Sequence, residues 1–128
     1  MSDTVTRGIR ILVRPRYIEE QSDPENERWL FAYHVTIRNE GDRTVQLLSR
    51  HWIITNGQGQ TEDVRGPGVV GHQPTLAPGE QFEYTSACPL ETPVGTMHGS
   101  FQMAVIGSTE RFDAAIKPFR LAVPQLLN

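Results

Sequence analysis

Trp29-Leu30-Phe31-Ala32-Tyr33-His34-Val35-Thr36-Ile37-Arg38 decides the fold. Trp29, Phe31, Tyr33, Val35 and Ile37 alternate with Leu30, Ala32, His34, Thr36 and Arg38. A helix would scatter the five large side chains around its circumference, whereas a strand sets all five on one face. The segment is therefore a strand, and Trp29 and Phe31 open the candidate core.

The same period of two extends outward in both directions. Upstream, Ile9, Ile11, Val13 and Tyr17 oppose Arg10, Leu12, Arg14 and Arg16, and a polar loop with Pro24 covers residues 19–28. Downstream, Asn39-Glu40-Gly41-Asp42 turns the chain into a strand from Val45 to Asn56. Here the phase slips: Val45 and Leu47 share one parity, Leu48, Trp52 and Ile54 the other. Either both faces are partly covered or a bulge near Leu48 re-aims the strand. Asn56-Gly57-Gln58-Gly59 predicts a tight primed turn, with a short return strand over residues 60–64. A Gly/Pro-rich connection follows to residue 80. Phe82 and Tyr84 mark a further strand ending near Cys88-Pro89. Met97, Phe101, Met103 and Val105 mark another, and Phe112, Ala114 and Ile116 the last, which stops around Pro118. No convincing amphipathic helix intervenes. About seven short strands predict an all-β, antiparallel β-sandwich, with a small barrel as the alternative.

The 128 residues make one domain's length. With 38% hydrophobic and 21% charged residues, the composition suits an ordinary globule and argues against disorder. Twelve basic against fifteen acidic residues exclude a broadly basic surface, and with it a general nucleic-acid binder. One cysteine, Cys88, excludes an internal disulfide and a multi-cysteine metal site. The N-terminus lacks a signal-peptide pattern, and no stretch approaches the ~20 apolar residues of a membrane helix. A cytoplasmic protein is the simplest expectation.

Gly66-Pro67-Gly68-Val69-Val70-Gly71 is a literal GxGxxG. In dinucleotide-binding folds that spacing opens a helix whose N-terminus holds pyrophosphate. Here His72, Gln73 and Pro74 follow at once, so no helix can start and a Rossmann site is rejected. Two readings remain. In one, the run is a crossover between sheets whose glycines permit positive φ. In the other, its amides form an anion nest flanked by charge, although Pro67 supplies no N–H. Arg65, Gly66, Gly68, Gly71 and His72 are then the anion- or nucleotide-binding candidates.

His34, His51, His72 and His98 form no HxH or HxxxH pair and read as surface histidines, so no metal site is assigned. Ser86 and Cys88 lack a nucleophile signature, and Cys88 shares the parity of Phe82 and Tyr84, which predicts a buried, inert thiol. Arg10, Arg14 and Arg16 project from one face at multiples of ~6.6 Å. They read either as an anion-holding row or as charges that protect an edge strand from aggregation. No nucleophile, base and electrophilic stabiliser can be named together, so no catalytic residue and no cofactor is assigned.

Longer motifs add a family resemblance. Gln46-Leu47-Leu48-Ser49-Arg50-His51-Trp52-Ile53-Ile54-Thr55 is followed by Val64-Arg65-Gly66, Val69-Val70-Gly71, Gln73-Pro74, Leu76, Pro78-Gly79-Glu80 and Tyr84-Thr85-Ser86. Cys88-Pro89-Leu90, Gly95-Thr96-Met97, Gly99 and Phe112 continue the series, and Tyr17 with Ser22-Asp23-Pro24 precedes it. Together these motifs, spanning nearly the whole chain, resemble the bacterial ApaG family. The resemblance implies a single ApaG-type domain over residues 1–128 with a fibronectin type III-like sandwich. No enzymatic activity is established for that family. ApaG-like domains serve as interaction modules in larger eukaryotic proteins, and the bacterial family is linked to cobalt and magnesium tolerance. Its GxGxxG loop has prompted a pyrophosphate or nucleotide hypothesis. Members often carry an acidic residue where this chain has Pro67, which weakens any role for that residue's backbone.

The functional expectation is a non-enzymatic binding module with a protein partner, presenting Leu30, Ala32 and Ile53 from the face opposite the core. Small-anion capture by the glycine loop is the alternative. An exposed edge strand would also permit homodimerisation by sheet extension.

Overall fold

The computed structural model describes residues 1–124. Nine strands follow one another: β1 Ser2–Thr6, β2 Ile9–Tyr17, β3 Trp29–Asn39, β4 Val45–Asn56, β5 Thr61–Pro67, β6 Thr75–Leu76, β7 Gln81–Leu90, β8 Val94–Val105 and β9 Arg111–Ala122. Two 3-10 turns, Glu19–Gln21 and Pro24–Asn26, lie inside the polar stretch. All pairings are antiparallel. One sheet has the order β1-β2-β3-β7; the other runs β5-β4-β8-β9, with β6 also on β4. The expected sandwich is the observed one, with two additions to the expected strands: the hydroxyl-rich β1 and the two-residue β6.

The alternation of β3 packs as expected. Phe31, Val35 and Ile37 are buried with Ile9, Ile11 and Val13 of β2, and face Leu47, Trp52, Met97, Phe101, Phe119 and Leu121 of the second sheet. Trp52 anchors this interface: its ring meets Phe101 at 6.0 Å, Phe119 at 5.9 Å and Tyr33 at 5.3 Å, all edge-on. Such geometry adds about 0.5–1.5 kcal/mol per pair beyond area burial.

The phase slip in β4 is a bulge. Leu47 pairs with Met103 and Ser49 with Gln102, leaving Leu48 unpaired, so Leu47 and Trp52 both turn inward.

The Arg-bearing strand β2 is not an edge. It lies between β1 and β3, so the edge-protection reading of Arg10, Arg14 and Arg16 fails; the edge is β1. Polar alternation hid β1, because its buried positions are Ser2 and Thr4 rather than apolar residues. Their hydroxyls reach the neighbouring sheet: Ser2 Oγ donates to the Lys117 carbonyl at 2.8 Å. Thr4 and Thr6 accept from the amides of Lys117 (3.1 Å) and Ala115 (3.2 Å). This closes one side of the sandwich.

The turns also differ from expectation. In the β4–β5 connection Asn56 Oδ1 accepts the amides of Gln58 and Gln60, and only Gly59 has positive φ (82°). The side chain thus replaces the primed turn with a three-residue loop. A pair of consecutive positive φ values occurs instead at Arg7-Gly8, between β1 and β2, and at Val70-Gly71.

Asn39 joins the two layers at one end. Fully buried, it donates from Nδ2 to the carbonyls of Arg43 (2.7 Å) and Leu76 (2.9 Å), and accepts the Gly41 amide at Oδ1 (2.9 Å). Replacing Asn39 with Ala strands these groups and is expected to cost about 2–3 kcal/mol, read as a lower urea midpoint with unchanged m-value.

Candidate functional site

The glycine loop does not cross between the sheets. Strand β5 pairs with Ser49–Thr55 of β4 and β6 with Val45 and Gln46, so both lie along one edge of the same strand. Residues 68–74 leave that edge opposite the Leu48 bulge and return. The bulge explains their course, because it orphans the Leu48 carbonyl. That oxygen accepts the Gly68 amide and Gln73 Nε2, both at 2.9 Å, while the Pro74 carbonyl takes the Leu47 amide at 3.0 Å.

Within the loop Val69 and His72 exchange amide-to-carbonyl bonds, each 2.8 Å, around Val70 (φ 41°) and Gly71 (φ 82°). Positive φ at both central residues makes a type I′ turn. Val69 is fully buried and pins the turn, whereas Val70 is 53% exposed. A β-branched residue in the left-handed region is strained. Gly68 (φ 59°) has no such alternative, since a Cβ there would run into the His72 carbonyl oxygen.

The candidate anion-binding residues are thus separated. Arg65 projects from the outer face of β5 opposite His51. Gly66 lies beneath Arg50, where an added Cβ would come within 2.9 Å of Nη2 and 3.0 Å of Cζ. His72 is exposed and packs its ring on Phe82 at 5.6 Å. The amides of Gly68, Val69 and His72 already have protein acceptors. Those of Val70 and Gly71 meet none among the described residues.

The residue that the sequence reading missed is Arg50. The bulge turns it inward on the parity of Trp52, at the side of the sandwich flanked by β5 and β7. Its Nη1 donates to the carbonyls of Pro67 and Gly68, both at 2.9 Å. It lines a crevice of about 260 Å³ between the sheets, with Tyr33, Trp52, Val64, Ser86, Cys88 and Met97 among the walls. A charged residue on a core parity beside Trp52 was the available signal, but it becomes visible only once the bulge is accepted.

Burial raises the pKa of the Tyr84 phenol strongly, with Tyr33 adding to the rise and the charge of Arg50 opposing it. Tyr33 is also raised by burial, opposed by Ser86 and by Arg50. The hydroxyl of Tyr84 is buried without a hydrogen-bond partner. Cys88 is the buried thiol expected, pushed up to about 11 by burial and then by Glu62.

The remaining candidates are engaged elsewhere. Arg10 forms a bidentate pair with Asp3 (2.9 and 2.6 Å) and approaches Glu40, which dissolves the three-guanidinium row. His34 bonds Thr85 (2.9 Å) and Glu83 (3.2 Å), and His51 bonds Asp63 (3.0 Å). The expected apolar contact face is not exposed: Ala32 is buried, and Leu30 and Ile53 are half-buried. No group of three or more His, Cys, Asp or Glu side chains converges among the described residues.

These features define a fibronectin type III-like sandwich, closed along β1 and β9 and open between β5 and β7. The ApaG domain family model matches residues 19–105. Protein ApaG of Rhodospirillum centenum is 56% identical over 124 residues, covering 97% of this chain and 95% of that protein. Protein ApaG of an Azoarcus species is 52% identical over the full length of both. A crystal structure described as the ApaA protein of Bordetella pertussis is 50% identical, with a TM-score of 0.88, covering 91% of this chain and 94% of that one. The chain belongs to the ApaG family.

Two measurements follow from the loop and the thiol. Gly68→Ala should lower stability by more than ~1 kcal/mol, while Val70→Gly should leave it unchanged or raise it by up to ~1 kcal/mol by releasing strain, both by urea unfolding. Because folding raises the Cys88 pKa, its stabilising contribution is complete below the unfolded value of about 8.5 and is lost as pH rises toward the folded one. Iodoacetamide at pH 8 should accordingly leave Cys88 unmodified in the folded protein and alkylate it in urea.

Proposed function

We propose that this protein is a non-enzymatic, cytoplasmic binding module that receives a segment of a protein partner on the open side of its sandwich. One observation carries the reading: the two sides are built differently. The β1 edge is tied to β9 by Ser2, Thr4 and Thr6. On the other side, β7 pairs only with β3, and the β5 edge only with β4. An unpaired edge offers backbone donors and acceptors to an added strand, and pockets beside it read alternate side chains.

The inter-sheet crevice supplies such a pocket, with Trp52, Val64 and Met97 among its apolar walls and Arg50 and Glu62 among its charged ones. The exposed Val70 extends the same side as a rigid apolar tip. Cobalt and magnesium tolerance, which the family resemblance implies, follows in this reading from what the partner does. The homodimer reading uses the same β7 edge with a second copy as the added strand.

A photo-crosslinking residue at Ala87, exposed on β7, tests the reading against one at Val5 on the closed edge. In cells, Ala87 should yield a discrete adduct with another polypeptide and Val5 none. Equal labelling at both positions, or adducts at Val5 alone, would overturn it.

A further inference from the structure

Strand β7 is the least protected edge of the sandwich. Its register with β3 runs unbroken from Gln81 to Leu90, without a bulge. Edge strands are ordinarily blunted by bulges, prolines, charged side chains or a covering segment. The β5 edge is treated in that way, with Glu62, Asp63 and Arg65 along it and Gly66-Pro67 at its end. The β1 edge is tied to β9. From Gln81 to Ala87, β7 carries one charge, Glu83, and His34 and Thr36 hold that carboxylate.

The phase of the β3–β7 ladder fixes which backbone groups this edge offers. The Asn39 amide donates to the Glu80 carbonyl at 2.9 Å, so odd-numbered residues of β3 turn their polar groups toward β7. Leu30 bonds Ile18 and Ser22 on the other side. Opposed residues in an antiparallel ladder exchange both bonds or neither. Phe82, Tyr84, Ser86 and Cys88 are therefore bonded to β3. The amides and carbonyls of Glu83, Thr85 and Ala87 point off the sheet, and Pro89 ends the run because it has no N–H. A strand added there alternates its side chains as β7 does, and those opposite Ser86 and Cys88 turn inward.

The two inward positions meet different surroundings. Ser86 and Cys88 line the crevice of about 260 Å³ with Trp52, Val64 and Met97. A cavity of about 150 Å³ already takes a benzene ring, so this one takes an aliphatic side chain. A cleft of about 560 Å³ continues it toward Leu90, sharing Ile54, Glu62 and Pro89. Glu27, Glu62 and Glu91 line that cleft with Arg28, and three carboxylates against one guanidinium leave two negative charges in excess. Arg50 lies at the other end, opposite Gly66 and bonded to the Pro67 and Gly68 carbonyls. Gly66 is four residues from Glu62 along β5, about 13 Å.

We infer that the segment received on this side is an added strand, antiparallel to β7, with Lys or Arg opposite Cys88 and a branched aliphatic residue two positions later, opposite Ser86. This chemistry rests on the binding-module reading. Antiparallel pairing is slightly more stable per residue, and every pairing in the fold adopts it. Such a strand passes the acidic end first, which gives the order basic-x-aliphatic. Strand β7 itself contains no basic residue, so a second copy pairing through β7 does not supply the motif.

The test uses the full chain and acetyl-Thr-Lys-Thr-Val-Thr-Thr-Thr-amide, with its Lys-to-Glu counterpart and its reversed sequence. By NMR, the amides of Glu83, Thr85 and Ala87 should move downfield saturably with the first peptide, and their solvent exchange should slow. The Glu and reversed peptides should bind at least about tenfold more weakly. Glu62→Gln should narrow the preference for Lys over Glu. Ala87→Pro should keep the thermal midpoint, because its amide is unused within the domain and Pro89 already sits at that parity, yet weaken binding about tenfold. Unmoved amides at about 10 mM of the first peptide, ten times a ~1 mM Kd, would overturn the inference. So would equal binding of the Lys and Glu peptides, tighter binding of the reversed one, or full binding by a folded Ala87→Pro. A Lys preference untouched by Glu62→Gln would overturn it whether or not Ala87→Pro folds. Exchange that slows with protein concentration alone would give the edge to a second copy and overturn it too. Responding amides with no adduct at Ala87 in cells would retain the strand chemistry and remove the module reading; an adduct with unmoved amides would do the reverse.

Discussion

One inserted residue, Leu48, sets the inward and outward sides of β4 and so orders much else. Without it, the parity that buries Val45 and Leu47 would carry His51 inward and Trp52 into solvent. With it, Leu47 and Trp52 both reach the core, and Trp52 can meet rings from both sheets. The bulge leaves a carbonyl outside the ladder, and a buried acceptor without a donor is costly. Gly68 and Gln73 supply the donors. The glycine-rich loop is thus first a lock on the bulge, and its glycines answer to that duty: Gly68 needs a left-handed backbone against His72, and Gly66 must leave room for Arg50.

The two open edges of a sandwich are liabilities unless something covers them. Here one pair of edges is joined without a ladder. Three hydroxyls of β1 bond the backbone of β9, and at about 1 kcal/mol each they stabilise the closure modestly while satisfying polar groups that would otherwise be buried alone. At the other pair the chain does not converge in this way. The resulting asymmetry is a property of the fold, and it leaves the inward-facing Arg50 on the side where the sheets are not joined.

The strand pattern was legible because period-two burial is stark where large rings alternate, as from Trp29 to Ile37. The bulge was legible for the same reason, since it breaks parity between Leu47 and Trp52. Strand β1 was not, because its buried face is written in Ser and Thr, which a hydrophobic period cannot register. Sequence places the primed turn at Asn56-Gly57-Gln58-Gly59, where the motif is strongest. There the Asn56 side chain captures two amides and makes a different loop, while tertiary contacts force the primed geometry onto Val70. The candidate site followed the glycine motif to Arg65, which sits opposite His51, and to His72, which packs on Phe82. The inward charge lies two residues past the bulge; Arg50 belongs to the run of residues 46–55, but its inward direction is recognisable only from the parity that Leu48 imposes.

The strain at Val70 fits this arrangement. A β-branched residue at φ 41° persists only where surrounding contacts over-determine it. Here the buried Val69 and the paired bonds to His72 do so. A turn held this firmly fixes the Pro67 and Gly68 carbonyls, and those carbonyls hold one end of the Arg50 guanidinium. Ordering a free arginine side chain would cost ~1.5–2 kcal/mol of rotamer entropy. In this protein folding has already met that cost, because two backbone carbonyls hold the guanidinium in place. The strained tip, the bulge and the inward arginine are consequently one device, and relaxing any member loosens the others.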